Sequence, residues 1–214
     1  MKNSFIIFVS LLCLSLGTTL QAQRTNSDFR QNATFGIRAG FNYSNVWDES
    51  GQDFSADAKV GFAGGAFLAL PIGEVLGIQP EILISQKGFQ GSGTLLGSSY
   101  SFSRTTTYID IPIQLQVKPS DAFTVLAGPH YSYLMSEKNV YTLGPNSYEQ
   151  SQQFDNDNIR KNIFGFIIGG DVYLQQIVIS GRLGWDLQTN NGDGTSTTPR
   201  YKNQWLQLTL GFRF

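Results

Sequence analysis

The stretch YIDIPIQLQV, residues Tyr108–Val117, alternates almost without interruption. Ile109, Ile111, Ile113, Leu115 and Val117 fall on one side of an extended chain, with Asp110, Gln114 and Gln116 on the other. A period of two marks a strand with two unlike faces, and β-branched isoleucines suit a pleated surface. The fold turns on which face meets water. A soluble barrel would bury the isoleucines. A membrane barrel would show them to lipid and close the polar side on itself.

The same alternation recurs along the chain, giving eight runs in all. Phe35–Tyr43 sets Phe35, Ile37, Ala39, Phe41 and Tyr43 against Arg38 and Asn42. Val60–Leu70 groups Val60, Phe62, Ala66, Leu68 and Leu70. Val75–Phe89 sets Leu76, Ile78, Ile82 and Ile84 against Gln79, Glu81, Ser85 and Lys87. Phe123–Leu134 sets Phe123, Val125, Ala127, Tyr131 and Tyr133 against Thr124, His130 and Ser132. Ile163–Leu174 groups Phe164, Phe166, Ile168, Val172 and Leu174 against Asp171. Ile177–Leu187 opposes Ile177, Ile179, Leu183, Trp185 and Leu187 to Ser180, Arg182 and Asp186. The closing run, Trp205–Phe214, places Leu206, Leu208, Leu210, Phe212 and Phe214 together. Runs of about ten residues match the ~9–11 tilted residues that cross a bilayer's hydrocarbon core.

Connections alternate too. Pro71–Glu74, Lys118–Ala122 and Gln175–Gln176 are tight, whereas Ser44–Lys59, Gln90–Thr107, Met135–Asn162 and Gln188–Asn203 are long and polar. Short and long connections in strict alternation put all the long ones at one end of an up-and-down sheet. Composition agrees: 14% charged residues, 13% aromatics and 23 glycines fit a β protein with many bends. The polar faces mix glycine with isolated charges of both signs, and the apolar faces are bordered by aromatics. Tyr43, Tyr108, Tyr133, Phe164 and Trp185 suit the outer girdle, and Phe35, Phe123, Phe212 and Phe214 the periplasmic one. The expected fold is all-β: an eight-stranded antiparallel up-and-down transmembrane β-barrel with short periplasmic turns and long external loops. Outer-membrane lipid is its solvent, and a net charge of −1 offers no basic face to nucleic acid.

Lys2, the apolar core Phe5–Leu16 and the small residue Ala22 read as a cleavable secretory signal peptide over residues 1–22. Cys13 is the one cysteine, and it lies inside that core without the small residues a lipidation site needs before it. A short tail (23–33) then leads into the barrel domain (34–214), and the location implied is integral to the outer membrane. A barrel has no free edge, so the final run must pair with the first. Its ending resembles the C-terminal assembly signal of bacterial outer-membrane barrels. Leu208, Leu210, Phe212 and Phe214 would carry that signal, to be read by the barrel-insertion machinery.

Phe35–Val46, Gln79–Phe89, Tyr108–Val117, Leu126–Met135 and Gly181–Asn190 resemble the PorT-like family of small outer-membrane β-barrel proteins. The likeness covers the chain from about Thr34 to Phe214. It implies fold and location. Because the family's namesake is implicated in protein secretion, it also suggests an envelope or secretion-system protein as partner.

Charges on the polar faces define a candidate lumen network: Arg38, Glu81, Asp171 and Arg182 in the lower half, and Lys87, Asp110, His130 and Asp186 in the upper. Asp171 and Arg182 flank the Gln175–Gln176 turn and could meet diagonally across it. An eight-stranded barrel is only wide enough for its own side chains, so a paired polar plug is the plainer reading and a conducting pore the sharper one. His130 and Ser132 share a face, with Asp110 or Asp186 within reach, but spacing alone does not make a nucleophile and base. Phe154–Arg160 lacks the glycine and distant glutamate of a calcium loop, and Asn190–Thr195 is turn chemistry. No catalytic, cofactor or metal residue is assigned. Trp47, Tyr100, Phe102, Tyr141 and Tyr148 lie amid polar loop residues as a candidate binding surface. The function expected is a non-enzymatic structural or interaction platform, accessory to secretion or envelope assembly. Three alternatives stand beside it: a small-solute channel, a soluble periplasmic barrel carrying a lipophilic ligand, and, last, an envelope enzyme.

Overall fold

A computed structural model of the chain describes residues 31–48, 56–95, 98–143, 146–152, 159–190 and 201–214. The leader, residues 23–30 of the tail, and most of the stretches 154–160 and 190–195 lie outside the described residues. The strands are β1 (Thr34–Asp48), β2 (Asp57–Pro71), β3 (Leu76–Leu95), β4 (Ser98–Ser120), β5 (Phe123–Leu143), β6 (Asn146–Gln152), β7 (Asn162–Leu174), β8 (Ile177–Asp186) and β9 (Tyr201–Arg213). All pairings are antiparallel. The ring runs β1 to β5, then β7, β8 and β9, and β9 pairs back onto β1 from Gly36↔Arg213 to Asp48↔Tyr201. The eight alternating runs are these ring strands. At the seam the Phe214 N–H donates to the Phe35 carbonyl at 2.8 Å, and the two rings stack at 5.9 Å.

Exposure settles the orientation of the faces. Ile37 is 50% exposed, Ile113 54% and Leu210 62%, whereas Arg182 is 1% exposed and Gln114 and Asp171 are fully buried. A soluble protein sorts these residues the other way. Five outward positions along β1, Phe35–Tyr43, and five along β9 and the residue that follows it, Leu206–Phe214, belong to the apolar band. Above it the outward positions turn polar, at Asn45, Gln86, Thr107, Asn162 and Gln204. Tyr43 and Phe164 are exposed at the upper edge of the band, and Trp185 packs against Phe166 there at 5.5 Å. Tyr108 does not join them. It shares the parity of Asp110, so it points inward and is 2% exposed.

The segments expected as long loops are partly strand. β3 and β4 continue pairing from Gln86↔Thr107 up to Leu95↔Ser98, and β4 and β5 from Thr107↔Ser136 up to Tyr100↔Leu143. β6 then adds to the upper part of β5, from Glu137↔Gln152 to Leu143↔Asn146. The result is an external sheet that rises from one side of the ring. Above the lipid no face must be aliphatic, so the apolar alternation stops while backbone pairing goes on. Thr105–Thr107 and the aromatics of this segment have the β-propensity to sustain it.

Two local devices depart from the regular ladder. Between Ala58↔Phe89 and Ala63↔Ser85, β2 has four residues (59–62) where β3 has three (86–88), so β2 bulges. From inside, Asn42 Nδ2 donates to the Gln86 carbonyl at 2.9 Å, and Ser44 Oγ bridges Gly88 O and N, both at 2.9 Å. These contacts satisfy the backbone of β3 where the ladder opens. The Gln175–Gln176 turn holds Gln175 at φ 59°, and Arg213 Nε donates to its carbonyl at 2.8 Å.

Candidate functional site

Strand parity sends every second residue into the lumen, and register sets its height. In the lower half, Arg38 (β1), Glu81 (β3), Arg182 (β8) and Asp171 (β7) form a ring of alternating charge. The distances are 3.4 Å for Arg38–Glu81, 3.7 Å for Glu81–Arg182, 2.7 Å for Arg182–Asp171 and 3.4 Å for Asp171–Arg38. Asp171 pairs with Ser180 and Arg182 with Gly169, so the 2.7 Å contact is the diagonal one across the β7–β8 hairpin. Glutamines complete the layer. Gln79 and Gln114 donate to Glu81 Oε1 at 2.6 and 2.8 Å, and Arg182 Nε donates to Gln114 Oε1 at 3.1 Å. Arg38 also lies over the Phe67 ring at 4.4 Å. Buried charges are tolerated only with such partners.

The upper half holds a second cluster. Lys87 reaches Asp110 at 3.0 Å and Ser132 Oγ at 3.2 Å, and its ammonium sits 3.8 Å from the centre of the Trp205 ring. Ser132 donates its hydroxyl proton to Asp110. His130 turns the other way, with Nε2 at 3.6 Å from Asp186 Oδ1 and its ring edge-on to Trp205 at 5.1 Å. Asp186 accepts from Asn203 at 2.6 Å. Two apolar side chains, Leu126 and Val178, are fully buried lower down, at and below the height of Arg182. The histidine and serine that share a strand therefore serve different carboxylates, and these two do not form a nucleophile–base pair.

A third layer at the outer mouth is absent from the sequence-level candidates. Arg104 contacts Glu137 at 3.4 Å, donates from Nε to Asn139 at 2.8 Å and from Nη1 to the Tyr201 hydroxyl at 3.2 Å. Phe89, Val46 and Tyr201 pack beside it. Burial, with the Glu137 charge behind it, pushes the Tyr201 hydroxyl above the usual phenol range against the pull of Arg104. Arg104, Thr106, Tyr108 and Asp110 are in phase. Extending the fourth run upward by parity would have found this layer.

Contacts reach across the barrel at three heights. Counting around the ring, β3 and β8 are four strands apart, as are β4 and β9, the greatest separation eight strands allow. Glu81–Arg182 joins the first pair and Arg104–Tyr201 the second, while Lys87–Trp205 links β3 to β9 between them in height.

The aromatic candidates divide. Tyr100, Phe102, Tyr141 and Tyr148 share one face of the external sheet by register, Phe102↔Tyr141 and Tyr141↔Tyr148, with the Phe102 and Tyr141 rings 4.9 Å apart. Tyr100, Tyr141 and Tyr148 are exposed. Trp47 stands apart on the outward face of β1, under the Lys202 ammonium at 5.8 Å. Leu208, Leu210, Phe212 and Phe214 lie exposed along the outside of β9. Among the described residues no group of three or more His, Cys, Asp or Glu side chains is placed to hold a metal ion.

A family model described as "Outer membrane protein beta-barrel domain" matches residues 21–192. Among curated proteins none matches. Of solved structures, the chain is similar to Ail, the attachment invasion locus protein of Yersinia pestis, solved with the heparin analogue sucrose octasulfate. The identity is 13% and the TM-score 0.46, over 86% of this chain and 100% of that one. Neisserial surface protein A is similar at 11% identity and TM-score 0.46, over 86% and 100%. OprG from Pseudomonas aeruginosa is similar at 12% identity and TM-score 0.38, over 86% and 97%.

Proposed function

Because this chain belongs to the outer membrane protein beta-barrel domain family and is integral to the outer membrane, we propose that it works there as a closed, non-enzymatic platform rather than as a pore. The observation that carries this reading is the Glu81–Arg182 contact, 3.7 Å long between strands on opposite sides of the ring. Together with Lys87–Trp205 and Arg104–Tyr201 it bars the lumen at three heights. Opening it would separate buried charges from their partners, which costs several kcal/mol per ion. With transport and chemistry both disfavoured, the work falls to the external sheet and its tyrosines. A partner protein of the envelope or of a secretion system, as the PorT-like resemblance suggests, would meet the barrel there. On the same reading the chain is exported by its leader, cut after Ala22, and inserted through its C-terminal aromatic.

Planar bilayers test the closed lumen. The purified barrel should give no single-channel steps, and neither should the double substitution Glu81→Ala with Arg182→Ala, because Lys87–Trp205 and Arg104–Tyr201 still bar the lumen above it. Regular steps from the unaltered protein, changed in size by Lys87→Ala or Asp110→Ala, would replace this reading with the small-solute channel.

A further inference from the structure

The bulge in β2 gives Lys59 an unusual placement. Val60, its neighbour, is 61% exposed and belongs to the apolar band, while Lys59 begins the polar rim above it. Because β2 carries an extra residue there, Lys59 turns to the outside of the barrel and lies across β3 at Gly88, where no side chain stands in its way. Its ammonium donates to Ser103 Oγ at 2.6 Å and to Thr105 Oγ1 on β4. Both partners are neutral, and among the described residues no carboxylate pairs with this lysine. The register sets Lys138 of β5 directly beside Thr105, and it too faces outward, since Glu137 and Asn139 on either side are buried. Burial, with the neighbouring Lys138 charge adding, holds the Lys59 ammonium below the usual lysine range. Immediately below the patch are Val60, Phe62 and Ile84, all exposed to lipid.

We propose that Lys59, Lys138, Ser103 and Thr105 form a binding site for the phosphate of an outer-leaflet lipid. Lys59 has a third proton to give beyond its two hydroxyl partners, and each hydroxyl that accepts from Lys59 keeps its own proton for a phosphate oxygen. Two cations flanking two donors answer a phosphate's charge and its several acceptors. The height commits the site to a lipid: a phosphate bound here has its acyl chains beside Phe62 and Ile84, in the hydrocarbon. The site stands on the outer surface of the barrel and is independent of whether the lumen is closed.

The test is binding of bisphosphorylated lipid A to the full-length mature barrel in detergent micelles, followed by native mass spectrometry. Fully dephosphorylated lipid A and inorganic phosphate serve as comparison probes. Lys59→Ala should weaken binding of the bisphosphorylated lipid about tenfold, as the loss of a charge-assisted hydrogen bond does, and Lys59→Ala with Lys138→Ala should weaken it further. Thr105→Val, which leaves both charges in place, should weaken it less. Neither lysine substitution should alter binding of the dephosphorylated lipid, and inorganic phosphate should compete only weakly. The heat-dependent gel shift of each variant reports that the barrel is folded. Equal affinity of the double variant and the unaltered protein for the bisphosphorylated lipid would overturn the proposal, as would equal affinity of the unaltered protein for the two lipids. Displacement of the lipid by low concentrations of inorganic phosphate would overturn the commitment to a lipid.

Discussion

Replacing Glu81 by alanine is the sharpest perturbation of the lumen. Its carboxylate accepts from Gln79 at 2.6 Å and Gln114 at 2.8 Å and faces two guanidiniums at 3.4 and 3.7 Å, with its side chain 2% exposed. Without it Arg38 and Arg182 share Asp171 alone, two buried positive charges against one negative. Breaking a buried pair by removing one partner costs about 3–5 kcal/mol. Glu81→Gln keeps an acceptor for the glutamines and should cost less. Glu81→Met combined with Arg182→Met restores charge balance, leaving Arg38 against Asp171, and should cost less than the sum of its two single changes. The coupling expected of contacting, charge-paired residues is about 1–3 kcal/mol. The measurement is the reversible guanidinium unfolding of the barrel in lipid vesicles, read by gel mobility and tryptophan fluorescence. An unchanged midpoint for Glu81→Ala, or strict additivity in the double variant, would refute a stability role for the ring.

Two further expectations concern the outside of the barrel. Leu210 is 62% exposed and sits at the middle outward position of β9, beside Ala39 and Ile179. Leu210→Arg should therefore cost about 2–4 kcal/mol in vesicles, as a cation at the bilayer midplane does, whereas a water-facing position would lose less than about 0.5 kcal/mol. A tolerated Leu210→Arg would mean the faces are reversed. Deleting Phe214 removes the ring stacked on Phe35 and a single seam hydrogen bond. It should shift the unfolding midpoint in vesicles little and yet sharply reduce the amount of folded barrel recovered from outer membranes of expressing cells. Normal recovery would remove Phe214 from the assembly signal.

The sequence was most legible where lipid enforces a rule. Ile109 and Asp110 differ so much in what they can face that the fourth run fixes both sides of its strand, and strand parity alone brings Asp171 and Arg182 within reach of each other. Legibility fails where that enforcement stops. Above Thr107 neither face is held to aliphatic residues, so Ser98–Thr107 reads as a loop although it pairs along its length with β3. Tyr108 suits the girdle by residue type and the lumen by parity, and parity decides. Arg104 lies on the upward continuation of the fourth run, beyond the point where aliphatic alternation stops marking the strand. Lys59 is a different case. Its direction depends on one extra residue in β2, and no periodicity announces where a bulge falls.

The charge ring has one more property, which concerns how such a sheet could enter a membrane. The strands divide into β1–β4, which carry Arg38 and Glu81, and β5–β9, which carry Asp171 and Arg182. Each half already contains a matched pair, at 3.4 Å in the first and 2.7 Å in the second. Lys87 with Asp110 obeys the same division. An open, half-inserted sheet would thus present the four members of the charge ring as two compact dipoles, with no net ion in either half among those four. Closure of β1 onto β9 then brings the halves into register and adds the cross-contacts Arg38–Asp171 and Glu81–Arg182. Within this ring neutrality is inherited by each half before the whole exists, so the step that seals it trades partners among the four charges and leaves none of them alone.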